Sequence, residues 1–209
     1  MRGQGGHGTR GGAARARAWA LVALALLLAA APGSAGGSAR DSVTPIYTTS
    51  DEYKLKAAYL FNFAKYVEWP AARLPAPDSP IVIGVLGADP FGDRLDRTVR
   101  GRTIGRHPVV VRRGRHLEDL AGCHMLFVGR GESARARQIA EMLRESPVLT
   151  VGEASDFVAT GGMIWLGRAG DAVEFDVNLD AVRQAGLAIG ARMLASARDV
   201  VGSHDGREH

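Results

Sequence analysis

The chain has 209 residues, 26 basic and 22 acidic, for a formal charge of +4. The excess is local: Arg2, Arg10, Arg15 and Arg17 lie within the first 35 residues, which contain no acid, and the other 22 basic residues balance the 22 acids. A basic balance carried by a leader is no argument for nucleic acid, and a single cysteine excludes an internal disulfide.

The leader reads as a secretory signal. A basic region ending at Arg17 precedes the apolar run Ala18 to Ala31, which is shorter than the ~20 residues a bilayer span needs. Small residues follow, so cleavage is expected after Ala31 or Ala35, with an uncleaved anchor as the alternative. Residues 1–35 are therefore assigned to a signal peptide and the protein to the periplasm. Residues 36–50, rich in Gly, Ser and Thr, are expected to form a flexible linker. One domain is expected over 51–202, followed by a disordered tail at 203–209.

Glu52 to Trp69 shows the period of an amphipathic helix, with Leu55, Tyr59, Leu60, Phe63, Ala64, Tyr66 and Val67 on the apolar face. Lys54, Asn62, Lys65 and Glu68 gather opposite, and Pro70 ends the helix. Strands are expected at Ile81–Leu86, Val109–Val111, Met125–Val128 and Val148–Val151. Helical stretches alternate with them: Asp89, as N-cap, to Val99; His116 to Ala121; and Glu132 to Arg144 with Ile139, Met142 and Leu143 inward. A short helical turn follows near Ser155 to Val158.

Apolar strands alternating with helices imply a mainly parallel sheet covered on both faces. Gly161 to Asn178 adds an antiparallel hairpin turning at Arg168-Ala169-Gly170-Asp171. Asn178 is then expected to cap one long helix reaching Ala197, with Ile189 and Leu194 buried. The fold class expected is α/β: a single three-layer domain with a mainly parallel sheet, closed by an antiparallel hairpin and a C-terminal helix.

Three turns that follow strands, Gly87-Ala88-Asp89, Gly129 to Ser133 and Gly152 to Ser155, sit where open parallel sheets bind ligands. None carries a phosphate-binding motif, and direction reversal alone accounts for their glycines. Arg100, Arg102, Arg106, Arg112, Arg113 and Arg115, with His107 and His116, form a basic stretch around the second strand. It could bind a phosphate or carboxylate, or form a solvated face. Ser133 lies outside any nucleophile elbow, and Cys123 and His124, adjacent on a strand, point to opposite faces. The six histidines lack the spacing of a metal site. Neither catalytic residues nor a metal or cofactor are assigned.

The segments KAAYLFNFAKYVEWP (Lys56 to Pro70), IGVLGADPFGDRLD (Ile83 to Asp96) and GCHMLFVG (Gly122 to Gly129) carry a resemblance, as do VLTVGEASDFVATGGMI (Val148 to Ile164) and FDVNLDAVRQAGLAIGARMLASA (Phe175 to Ala197). Together they resemble the YfiR family of small periplasmic regulatory proteins. The resemblance implies a non-enzymatic repressor of an inner-membrane diguanylate cyclase, acting on that enzyme's periplasmic region in cyclic di-GMP signalling and biofilm formation. It also implies an outer-membrane lipoprotein as a relieving partner, and a homodimer is compatible with it. Family members can carry disulfides, for which Cys123 has no partner here. The alternative is a periplasmic small-ligand-binding or sensing module with another signalling output. Candidate ligand or partner contacts are Lys54, Lys65, Arg106 and Arg183, chosen as basic and exposed.

Overall fold

Four apolar strands, buried along most of their length, organise the domain. The computed structural model describes residues 49–202 apart from Asp171. The signal assignment, most of the linker and the tail at 203–209 lie outside the described residues.

The chain enters through helix α1 (Thr49–Tyr66) and strand β1 (Val67–Glu68), then reaches β2 (Ile81–Leu86). Next come α2 (Arg94–Val99), β3 (Thr103–Ile104), β4 (His107–Gly114), β5 (Met125–Val128), α3 (Ala136–Leu143) and β6 (Leu149–Gly152). The hairpin β7 (Ile164–Ala169) and β8 (Ala172–Asn178) leads to α4 (Leu179–Gln184), β9 (Ala188–Ile189), α5 (Ala191–Leu194) and β10 (Asp199–Val201). Eight strands form one sheet in the order β10-β8-β7-β6-β5-β2-β4-β3, while β1 and β9 pair separately. The pairs from β4 through β2, β5 and β6 to β7 are parallel, β7–β8 is antiparallel, and β10 returns parallel to β8.

Both faces of the sheet are covered, as expected of a three-layer α/β domain. Ile81, Ile83 and Val85 of β2 join Ala57, Leu60 and Phe63 of α1, Leu95 of α2 and Val182 of α4 in one apolar cluster. Val82 and Leu86, of opposite parity, pack with Ile139 of α3, Leu120 and Phe157 in the other. Each such Val, Leu, Ile or Phe side chain, fully buried, stabilises by about 1.5–3 kcal/mol.

Several expectations are corrected. The helix after Asn178 is not continuous. Asn178 caps α4 by accepting from the Ala181 amide, but Gly186 takes φ +70° and stops it, as glycine does at a helix end. The chain then pairs β9 with β1, and the Gly190 amide donates to the Tyr66 carbonyl at 2.8 Å. Ile189 and Leu194 are half-buried against the first cluster. Leu55 and Met142, expected inside, are 43% and 57% exposed. The helix expected from Asp89 begins only at Arg94, because the Asp89 carboxylate accepts from the Phe91 amide at 2.8 Å and holds a turn instead. Between Glu132 and Arg144 the first turns are 3-10, and His116 to Ala121 reduces to a 3-10 turn at Glu118–Leu120.

At the amino ends of the strands, His124 ties the loop before β2 to the sheet. Its Nδ1 accepts from the Val82 amide at 3.2 Å, so the proton is on Nε2, which donates to the Arg73 carbonyl at 3.0 Å. Trp69 Nε1 donates to the His124 carbonyl at 3.1 Å. Burial, ahead of the nearby Arg73 charge, lowers the His124 pKa below the ordinary imidazole value. An imidazole depressed on folding binds its proton more readily unfolded, so its contribution is full above the unfolded pKa of about 6.5 and is lost as pH falls. The melting temperature should therefore hold from pH 8 to 7 and decline below about 6.5. His124→Gln should flatten that decline; an identical slope in this variant would remove His124 as its source.

Candidate functional site

In a sheet ordered β4-β2-β5-β6, successive connections leave β2 in opposite directions, which opens a crevice at the carboxyl ends of β2 and β5. The three turns singled out in the sequence meet here, since Gly87, Gly129 and Glu153 directly follow the adjacent strands β2, β5 and β6. Gly87 takes φ +77°, the left-handed conformation that favours glycine, and a Cβ there would displace the Glu132 side chain.

The crevice is filled by the chain itself. Phe91 is fully buried, its ring 4.8 Å from Phe127 and 5.5 Å from Tyr53. Beside it lies a charged cluster. Lys56 of α1 is 0% exposed, and its ammonium donates to Glu52 Oε1 at 2.5 Å and to Glu153 Oε1. Arg130 donates to Glu52 Oε1 from its side chain at 2.9 Å and to Glu153 Oε2 from its backbone amide at 3.0 Å. Tyr53 adds its hydroxyl to Glu153 Oε1 at 3.1 Å. Burial first, then Glu153, pushes the Tyr53 pKa up to about 12, so the phenol stays a donor.

Two carboxylates and two cations balance, and Glu153 takes three donors. Such pairing offsets the burial of these groups, since isolated burial of an ion costs on the order of several kcal/mol. The arrangement locks the first turns of α1 onto the end of β6. Neither a free nucleophile nor an open anion cradle results. Outside Arg130 lies an open depression of about 470 Å³, also lined by Ser133, Ser155, Asp156, Trp165 and Arg168. Among the described residues, no group of His, Cys, Asp and Glu could hold a metal ion.

The sequence reading missed this cluster, although a signal was present. Glu52 and Lys56, four apart, fall on the same helical stripe as Leu60 and Phe63, an ion pair set in an apolar face. The basic stretch, by contrast, does not converge. Arg113 turns to one face, where it binds Asp89 (2.7 Å), Asp96 and the Gly92 carbonyl (2.8 Å). That hydrogen bond holds the Asp96 pKa below the usual carboxylate value. Arg112 turns to the other face and donates to the Ala121 carbonyl at 2.8 Å.

The candidate contacts are spread over three parts of the chain. Lys54 and Lys65 are exposed along α1, Arg106 is exposed in the β3–β4 turn, and Arg183 on α4 lies 3.9 Å from Asp180. Cys123 is buried, and burial raises its thiol pKa to about 11.

The fold and the filled crevice define an α/β domain whose usual ligand position is closed by its own side chains. Residues 53–198 match the model of the YfiR/HmsC-like family, and the chain belongs to that family. At family level this membership carries a regulatory, non-catalytic periplasmic role in cyclic di-GMP signalling. Among solved structures, a conserved domain protein from Vibrio cholerae O1 biovar El Tor superposes with a TM-score of 0.50 at 11% identity. The match covers 71% of this chain and 60% of that one, and it shows the fold alone. Among the described residues, no helix is long and apolar enough to cross a membrane.

Glu153→Ala should lower unfolding free energy by about 3–5 kcal/mol, the usual cost of stranding a buried charge. Lys54→Ala and Lys65→Ala should stay within about 0.5 kcal/mol of the parent. Urea denaturation measures all three, and a parent-like midpoint for Glu153→Ala would show that the cluster does not hold the fold.

Proposed function

We propose that this protein is a non-enzymatic periplasmic repressor that holds an inner-membrane diguanylate cyclase inactive by binding its periplasmic region, and so restrains biofilm formation. The observation that carries this reading is the family match, which spans the folded domain from Tyr53 to Arg198. The filled crevice supports it, because the position where such a sheet would receive a ligand is taken up by the domain's own side chains. Lys54, Lys65, Arg106 and Arg183 are the proposed surface contacts, and an outer-membrane lipoprotein is the proposed relieving partner.

Such a repressor works by preferring the inactive cyclase, and moving an equilibrium from 1:99 to 99:1 takes about 5.5 kcal/mol of preference. A protein interface of ordinary size supplies that. A second reading, a small-ligand sensing module, draws on the open depression beside Arg130.

Deleting the gene should raise cellular cyclic di-GMP and surface attachment, and the rise should vanish in a strain that also lacks the cognate cyclase. A version without residues 1–35 should not complement, since the repressor would be on the wrong side of the membrane. Unchanged nucleotide levels on deletion, or rescue by the shortened version, would set the repressor reading aside in favour of the sensing module.

A further inference from the structure

Strand β4 bonds to β2 along residues 109–114, but on its outer side β3 covers only His107 and Pro108. The Val109 amide also points outward, donating to the Arg102 carbonyl at 3.1 Å. Gly114 lies on the other parity, its carbonyl accepting from Gly87 on the β2 side. Backbone groups alternate sides along a strand. The N–H and C=O of Val111 and Arg113 therefore face outward, and among the described residues nothing pairs with them. Beside this open edge, Val110 is 40% exposed.

The sequence forming the edge is rich in arginine, and Asp119 closes its far end by accepting from the Arg115 and His116 amides at 3.0 Å. Residues 97–117 hold seven arginines and no acid. Arg100, Arg102, Arg106, Arg112 and Arg115 are exposed and form no salt bridge among the described residues, whereas Arg113 is held by Asp89 and Asp96. Charged residues on an edge oppose pairing with a second copy, since a two-fold about β4 would set arginine against arginine. The same charges favour a strand of opposite sign.

We propose that the outer edge of β4 accepts an extended acidic segment of a partner protein as an added strand. Main-chain bonds go to Val111 and Arg113, an aliphatic side chain covers Val110, and acidic side chains face the surrounding arginines. This specifies how the regulator proposed above holds its partner and rests on that reading only for the partner's role; peptide binding is measured independently of it.

The probe is a short capped peptide of valine and glutamate, with lysine replacing glutamate in the control, titrated into the purified full chain. The acidic peptide should bind and slow hydrogen exchange at the Val111 and Arg113 amides; the basic one should not. Val111→Pro removes one outward N–H at a position where an edge strand tolerates proline, and it should weaken binding at least about tenfold while the protein stays folded. Arg112→Glu combined with Arg115→Glu should do the same without altering the backbone, and decides the matter if the proline variant unfolds. Three results would overturn the proposal: binding with unchanged exchange at Val111, retention by anionic lipid vesicles that Val111→Pro leaves intact in place of peptide binding, or a dimer abolished by Val111→Pro. The last would make a second copy the occupant. Peptide binding at the edge with cyclic di-GMP unaffected by gene deletion would sink the repressor reading and leave the strand site standing.

Discussion

A single buried ammonium decides how this domain is used. Lys56 lies wholly inside, between Glu52 on its own helix and Glu153 at the end of β6. Neither carboxylate could be buried at tolerable cost without it, and it could not be buried without them. Arg130 and Tyr53 complete the shell, so the first turns of α1 are fastened by directional, charge-assisted bonds where apolar packing alone would permit sliding. Phe91 and Phe127 fill the space alongside. The carboxyl-end crevice, which in sheets of this order commonly receives a ligand, is spent on anchoring a helix.

With the crevice closed, the chemistry of the surface follows from strand parity. Arg112 and Arg113 are adjacent in sequence and opposite in role. Arg113 braces the loop between β2 and α2 through Asp89 and the Gly92 carbonyl, and the first turn of α2 through Asp96. Arg112 reaches the Ala121 carbonyl on the other face, Arg102 lies over the Phe61 ring, and Arg106 is exposed in the β3–β4 turn. A basic stretch that looks like one patch in the sequence is thus divided into a structural brace and a charged edge. Arg198 shows the same economy at the other end of the sheet: its guanidinium binds Asp176 and lies 4.5 Å from the Trp165 ring centre.

The sheet was legible because buried strands announce themselves: Ile81 to Leu86 and Met125 to Val128 are continuous apolar runs, and the alternation of Val173, Phe175 and Val177 marks the hairpin's outer strand. Periodicity failed where competing local chemistry intervened. Val182, Ala185, Ile189 and Met193 fit a helix, yet Gly186 can adopt a positive φ at little cost and β9 gains a partner in β1. Leu55 fits the apolar stripe of α1 yet is 43% exposed. The site was harder still, because Glu153 and Lys56 are 97 positions apart. Nothing local distinguishes a glutamate after a strand from any turn residue, and only the helical register of Glu52 and Lys56 hinted that charge was being taken inside.

A regulator built this way has reason to be rigid. Recognition through a preformed surface loses less conformational entropy than recognition by a segment that orders on binding, so more of the contact energy remains to distinguish one partner conformation from another. The Lys56 cluster supplies that rigidity at the carboxyl ends of the strands, and the His124–Trp69–Arg73 contacts supply it at the amino ends. Between those two clamps β2 is held along its full length against β4, so the open side of β4 is fixed in position by a strand buried from end to end. An edge so supported need not reorganise to receive an added strand, and its arginines would oppose pairing with a second copy.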